Sequence, residues 1–137
     1  VPGMVDAGLV ALREFGTRSF SEIIQPAIDL ADGAPIDEMR AGYIARSRRF
    51  FDLWPASKET FLINGQSPRA GEIFRQPKLA ATLRAMADAE KKALAKGATR
   101  QQAIDAVRDY FYRGDVARKI DAFSKANGGL LRYEDMA

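Results

Sequence analysis

Apolar side chains recur three or four positions apart along most of this chain. The runs open on Ser, Thr or Asp and close on Gly, Asn or Pro. Such spacing gathers the apolar residues on one face of a helix, so it commits the chain to amphipathic helices. Val5, Leu9, Leu12 and Phe15 form the first stripe, stopped at Gly16. Ser19-Phe20-Ser21-Glu22 is a capping box, in which serine and glutamate satisfy each other's free amides. It opens a stripe of Ile23, Ile24, Ala27, Ile28 and Ala31 that ends at Gly33. Pro26 interrupts the hydrogen-bond ladder there and predicts a kink, or two short helices meeting at Gln25. Asp37 caps a third helix expected to run through Met39, Tyr43, Phe50 and Leu53 to Pro55.

Residues 56–62 read as one or two helical turns. The turn chemistry of Asn64-Gly65 lies between Phe61-Leu62-Ile63 and Glu72-Ile73-Phe74, so a short β-hairpin can form within 61–74. Pro77 suits a first helical turn and starts a long helix through Leu79, Leu83, Met86 and Leu94 to Gly97. Thr99 and Gln102 make a second capping box before Ile104, Val107 and Phe111. A last full helix carries Val116, Ile120 and Phe123 and stops at Asn127-Gly128-Gly129; Glu134-Asp135 begin another. The expected fold class is mainly α, a multi-helix orthogonal bundle. Residues 1–137 form a single helical segment with no internal domain boundary.

Composition narrows the chemistry. The chain has 21 basic and 18 acidic residues, a net charge of +3 that is too mild to imply nucleic acid without a concentrated basic face. No apolar run approaches the ~18 residues of a membrane span. There is no cysteine and no histidine, which excludes disulfides, thiolate or imidazole metal sites and Ser-His-Asp triads from these residues. Val1-Pro2-Gly3 lacks an initiator methionine and a signal segment, and both borders read as internal to a longer polypeptide.

Each candidate site weakens on inspection. Arg46, Arg48 and Arg49 could meet phosphate, but short basic clusters are usually solvated faces. Residues 99–127 resemble a helix-turn-helix, yet Arg118, Lys119 and Lys125 alternate with Asp115 and Asp121. Asp105 and Asp109 share one helix face, whereas acid-base catalysis needs carboxyls facing each other across a cleft. Arg13-Glu14 and Arg108-Asp109 read as surface charges, and Arg113-Gly114-Asp115 as a chance match to an adhesion tripeptide. Trp54 with Phe50 and Phe51 reads as a core plug at a helix end, and Gly128-Gly129 as a helix stop. No catalytic, substrate-binding, cofactor or metal residue is assigned, and no cofactor is expected.

Several of these punctuation marks occur together in one family. Val1-Pro2-Gly3 with Gly8 and Phe15-Gly16 resembles the "VPG…G…YG" opening in the large subunit of gamma-glutamyltranspeptidases. Gln25-Pro26-Ala27-Ile28 with Leu30-Ala31 and Gly33 is similar to its "QPAIxLAxxG", and Gly71, Gln76-Pro77, Leu79-Ala80 and Thr82-Leu83 to its "G…QPxLAxTL". Phe111-Tyr112-Arg113-Gly114 with Val116-Ala117 and Ile120 resembles "FYxGxIAxxI". Gly128-Gly129-Leu130-Leu131 with Glu134-Asp135 resembles "GGLLTxED". The stretch 88–108 is longer than the family's usual connection, and Tyr133 and Met136 replace its common threonine and leucine.

The resemblance implies the helical part of a larger N-terminal nucleophile hydrolase. In that family the precursor cuts itself, and the newly terminal threonine attacks a gamma-glutamyl amide of glutathione or a relative. That threonine and the arginine holding the donor α-carboxylate lie outside the matched region; Thr17, Thr60, Thr82 and Thr99 are neither paired nor terminal. The resemblance makes this stretch a non-catalytic scaffold whose partners are the remaining large subunit and the small subunit. It suggests an exported or periplasmic location. A glutaryl or cephalosporin-type acylase and an autonomous helical binding module are the alternatives. A scaffold of this kind is expected to leave an apolar helix face uncovered.

Overall fold

The computed structural model describes residues 2–137. Its helices are α1 (Met4–Phe15), α2 (Phe20–Asp32), α3 (Glu38–Arg46), α4 (Arg48–Phe51), α5 (Pro55–Phe61), α6 (Pro77–Ala95), α7 (Arg100–Tyr112) and α8 (Asp115–Ala126). A 3₁₀ turn, Tyr133–Asp135, follows. Two short strands, β1 (Ala34–Pro35) and β2 (Ile73–Phe74), form the one sheet among the described residues, so the mainly α expectation holds. The chain forms two compact units, residues 1–25 with 81–137 and residues 26–80.

In the first unit, Leu9 and Leu12 of α1, Phe20 of α2, Met86 and Ala87 of α6, and Ile104 and Val107 of α7 share one core. Ile104 and Val107 are almost wholly removed from water. Each such aliphatic side chain contributes roughly 1.5–3 kcal/mol on transfer. A second cluster joins Tyr112, Ala117 and Met136, with Ile120, Leu131 and Tyr133 against it. This cluster fastens the C-terminal turn beside α8.

Helix ends in this unit are closed by charged side chains from far along the sequence. A helix leaves its first backbone N–H groups without internal partners. At the start of α2 every one is accounted for. The amides of Phe20 and Ser21 donate to the Glu90 carboxylate at 2.6 and 2.7 Å, as does the Ser21 hydroxyl at 2.5 Å. The Glu22 amide donates to Ser19 Oγ at 3.1 Å, and the Ile23 amide to the Ser19 carbonyl. The Ser19 amide returns a bond to Glu22 Oε2, completing the expected capping box. Glu90 is only 1% exposed, the one buried charged side chain among the described residues.

The opposite end of α1 is closed by a cation. Arg100 donates to the carbonyls of Leu12, Arg13 and Arg18. Gly16 permits this, because a Cβ there would stand 2.6 Å from the Leu12 carbonyl oxygen and 3.2 Å from the Arg100 guanidinium. Carboxylate at an N-terminus and guanidinium at a C-terminus both match the helix dipole. The Thr99–Gln102 box that opens α7 also forms. So does the glycine stop of α8, where Gly128 has φ +70° and the Gly129 amide donates to the Ser124 carbonyl.

Tyr112 joins the chain's opening to α7: its hydroxyl accepts from the Asp6 amide at 2.9 Å and donates to the Pro2 carbonyl. Arg108 binds both Asp6 carboxylate oxygens through Nε and Nη2. Gly114 lets α8 follow α7 directly, since a Cβ there would lie 2.4 Å from the Tyr110 carbonyl oxygen.

The second unit departs from the sequence expectations in three ways. Proline does not divide α2, which runs through Pro26 as one helix. The third helix, capped by Asp37 as expected, ends at Arg46; Ser47 separates it from the one-turn α4. Its buried face is Ala41 and Ile44, which pack with Ile36 and Leu62, while Met39, Tyr43, Phe50 and Leu53 are exposed. Burial here follows the small and aliphatic positions instead of the most apolar stripe.

The third departure is in the sheet. Asn64-Gly65 makes the expected tight turn, both residues at positive φ, but its ladder is a single bridge between Ile63 and Gln66. β2 instead pairs antiparallel with β1, Ala34 opposite Phe74 and Pro35 opposite Ile73. Ser67-Pro68 intervenes between the turn and β2, and proline cannot donate to a continuing ladder.

Three substitutions test these joints. Glu90→Ala strips the acceptor from two amides at the start of α2 and should destabilise the chain by roughly 2–4 kcal/mol in urea unfolding, with Glu90→Gln intermediate. Tyr112→Phe should cost about 1–2 kcal/mol in the same measurement, because it leaves the Asp6 amide without its acceptor. Bonds from Ser19 and then Arg18 pull the Glu22 carboxyl from its ordinary 4.5 down to about 2. A depressed folded value means its contribution is present above pH 4.5 and fades as pH falls towards 2. The melting-temperature gap between the wild-type chain and Glu22→Ala should therefore be open at pH 6 and close between pH 4.5 and 2.

Candidate functional site

Several of the side chains with chemical potential are engaged in holding the fold. Asp105 lies 3.0 Å from Arg13 Nε, and Asp109 pairs with Arg113 at 2.9 Å. Each carboxylate faces a guanidinium and neither faces the other, so no acid-base pair is formed. Asp6, held below the usual carboxylate range first by its bond to Arg108, is a structural anion. Thr60 donates to the Ala56 carbonyl, and Thr99 accepts from the Gln102 amide as a cap. Neither hydroxyl is set beside a base.

Several basic residues are neutralised by nearby carboxylates. Arg48 pairs with Asp52 at 2.8 Å, and Lys58 reaches the same carboxylate at 3.6 Å. The Arg48 hydrogen bond is the main reason the Asp52 carboxyl lies below its ordinary range. Lys119 pairs with Asp115 and Lys125 with Asp121, both one helical turn apart. The α7–α8 pair therefore presents alternating charge where a DNA-reading helix would present donors. Arg113-Gly114-Asp115 is the tight joint between those helices. Among the described residues no group of three or more His, Cys, Asp or Glu could hold a metal. Among the described residues no helix is long and apolar enough to cross a membrane.

Trp54 differs from its expected role as a core plug. It is half-exposed, as is Phe50, over whose ring Arg49 sits at 4.7 Å. The most covered aromatic of that group is Phe51, half-buried and tilted against Phe61 with centroids 4.7 Å apart. Helix α4 is only one turn long and buries neither of its phenylalanines fully.

One concavity lies wholly within residues 26–80. It is an open cleft of about 780 Å³ lined by Leu30, Ile36, Tyr43, Phe51, Phe61 and Phe74 among others. Arg40 is its only charged lining residue, and Arg40 already binds Asp37 at 2.6 Å. Asp37 in turn is held below the ordinary carboxylate range, chiefly by accepting the Arg40 amide. The cleft can accept apolar matter but holds no nucleophile or base. Spacing along α3 could not reveal it, because its walls come from segments forty residues apart. Glu90 was equally hidden: a lone glutamate one turn after Met86 looks like any helix-surface acid until Phe20 and Ser21 arrive beside it.

A sequence-family model described as gamma-glutamyltranspeptidase matches residues 1–137. A glutathione hydrolase proenzyme from a Pseudomonas species is 33% identical over 99% of this chain and 21% of its own length. An acylase proenzyme from another Pseudomonas strain is 30% identical over 100% of this chain and 22% of its own length. Among solved structures, the gamma-glutamyltranspeptidase of Helicobacter pylori superposes with a TM-score of 0.81 at 30% identity, covering 99% of this chain and 35% of that one. The chain thus spans about a fifth of the length of the curated relatives it matches. With its opening, its Gln-Pro segments and its Phe-Tyr-x-Gly joint all placed within that match, the chain belongs to the gamma-glutamyltranspeptidase family.

Proposed function

We propose that these residues are a scaffold segment of an enzyme that cleaves and transfers gamma-glutamyl groups from glutathione or related amides. The acyl group passes through a threonine at the terminus of the small subunit, whose own α-amino group serves as base. Neither that threonine nor the cation that anchors the donor α-carboxylate is among these residues. The observation that carries the reading is the family match over the whole chain, joined to structural roles for Asp6, Asp105, Asp109, Thr60 and Thr99.

Two further features support it. The chain lacks histidine and cysteine, which this chemistry does not need. It also fills 35% of the solved Helicobacter pylori chain but 21% of a relative's proenzyme, as suits a stretch lying inside one piece of a divided precursor. A second reading keeps the threonine chemistry and changes the substrate: the acylase relative, at 30% identity over 100% of this chain, favours it.

The pure 137-residue chain should show no turnover of a gamma-glutamyl anilide, and appreciable turnover would overturn the scaffold assignment. The parent polypeptide should hydrolyse the gamma-glutamyl anilide and trap an acyl group on a terminal threonine, detected by mass spectrometry of the quenched enzyme. A higher kcat/KM for a glutaryl anilide would move the assignment to the acylase reading.

A further inference from the structure

The cleft within residues 26–80 has an exposed extension that the unit itself does not cover. Met39 is 74% exposed and Tyr43 61%, one turn apart on α3 and both lining the cleft. Leu30, 64% exposed, lines it from α2. Ile36 and Ile44, already buried, line the same cleft, so it reaches from the unit's core to these exposed side chains. Clustered apolar side chains left in water mark a surface that meets something else.

Charge and size narrow the occupant. The one charged lining residue, Arg40, is neutralised by Asp37, so an ionic ligand would find no unpaired counter-charge in the cleft. A volume of about 780 Å³ with an open mouth accommodates several side chains of a packing element. About four-fifths of the length of the matched relatives lies outside this chain, which supplies a covalently linked partner at high effective concentration. We propose that the Leu30–Met39–Tyr43 cleft is the seat of an apolar element from the remaining polypeptide of the same precursor. This rests on the scaffold reading given above. The seated element completes the core begun by Ile36, Ala41, Ile44 and Leu62, and it orients residues 26–80 within the enzyme.

The absence of cysteine from these residues permits a direct test in the full-length precursor. Met39→Cys and Tyr43→Cys are each introduced, with Lys119→Cys, at a solvated ion pair, as the reference. Labelling by a water-soluble maleimide is followed by mass spectrometry of the peptides that carry the new thiols. The expected result is labelling at positions 39 and 43 at least tenfold slower than at 119, independent of protein concentration and abolished as a difference in urea. Equal native rates at all three positions would overturn the proposal by placing the cleft in solvent. Protection that appears only at high protein concentration would assign the face to a second copy. Protection that appears only with anionic phosphatidylglycerol vesicles would assign it to a lipid surface, and either result overturns the proposal. Hydrolysis of the gamma-glutamyl anilide by the same preparations is scored separately, so that loss of the substrate reading and loss of the docking reading are distinguished.

Discussion

A carboxylate withdrawn from water is costly unless its lone pairs are met, and Glu90 meets its own with the start of a distant helix. Its two oxygens take the Phe20 amide, the Ser21 amide and the Ser21 hydroxyl, which are seventy positions away in sequence. The interaction answers two needs at once. It removes the desolvation penalty of a buried anion, and it satisfies donors that α2 cannot satisfy internally. Because Phe20 sits in the same core as Met86 and Ala87, the bond fixes both the register of α6 against the start of α2 and the depth of the phenyl ring. Arg100 repeats the device with opposite sign at the end of α1. The unit formed by residues 1–25 and 81–137 is thus closed by long-range charges placed at helix termini, where the backbone dipoles favour them.

Two kinds of information separate cleanly here. Capping boxes at Ser19–Glu22 and Thr99–Gln102, the Asp37 cap, the Pro77 start and the glycine stops are all local: donor and acceptor lie within about four residues. They are legible in the sequence for that reason. Glu90 and Arg100 carry no local mark, since their partners come from elsewhere. The same limit explains α3. Spacing correctly identifies a helix there, but it ranks faces by apolar content and selects Met39 and Tyr43. The face that is buried within the unit holds Ala41 and Ile44, small enough for close approach to Leu62 and Ile36. The β1–β2 pairing was hidden likewise, because two-residue strands contain too few positions to reveal a period.

The failure at α3 has a physical meaning beyond misassignment. In a chain that buries all of its own apolar surface, the most apolar helix face and the buried face coincide. At residues 38–54 the two diverge, and Met39 and Tyr43 stay in solvent. Leu53 and Trp54 extend the exposed surface past the end of α4. The candidate site was legible only in the negative, through missing histidine and cysteine. The cleft itself required the backbone to bring Leu30, Phe61 and Phe74 together.

The sequence words that carry the family resemblance turn out to be joints. Tyr112 of the Phe-Tyr-x-Gly word ties α7 to the Pro2-Gly3 opening, and Gly114 of the same word permits the close turn into α8. Gly129 occupies a space that a Cβ would share with the Ser124 hydroxyl, 2.6 Å away. A segment recognised through its joints reports a fold, and the chemistry hosted on that fold can differ while the joints persist. This accounts for a chain that stands 33% identical to a glutathione hydrolase and 30% identical to an acylase over nearly its whole length. The geometry that makes the family identifiable in this stretch is independent of the choice between their substrates.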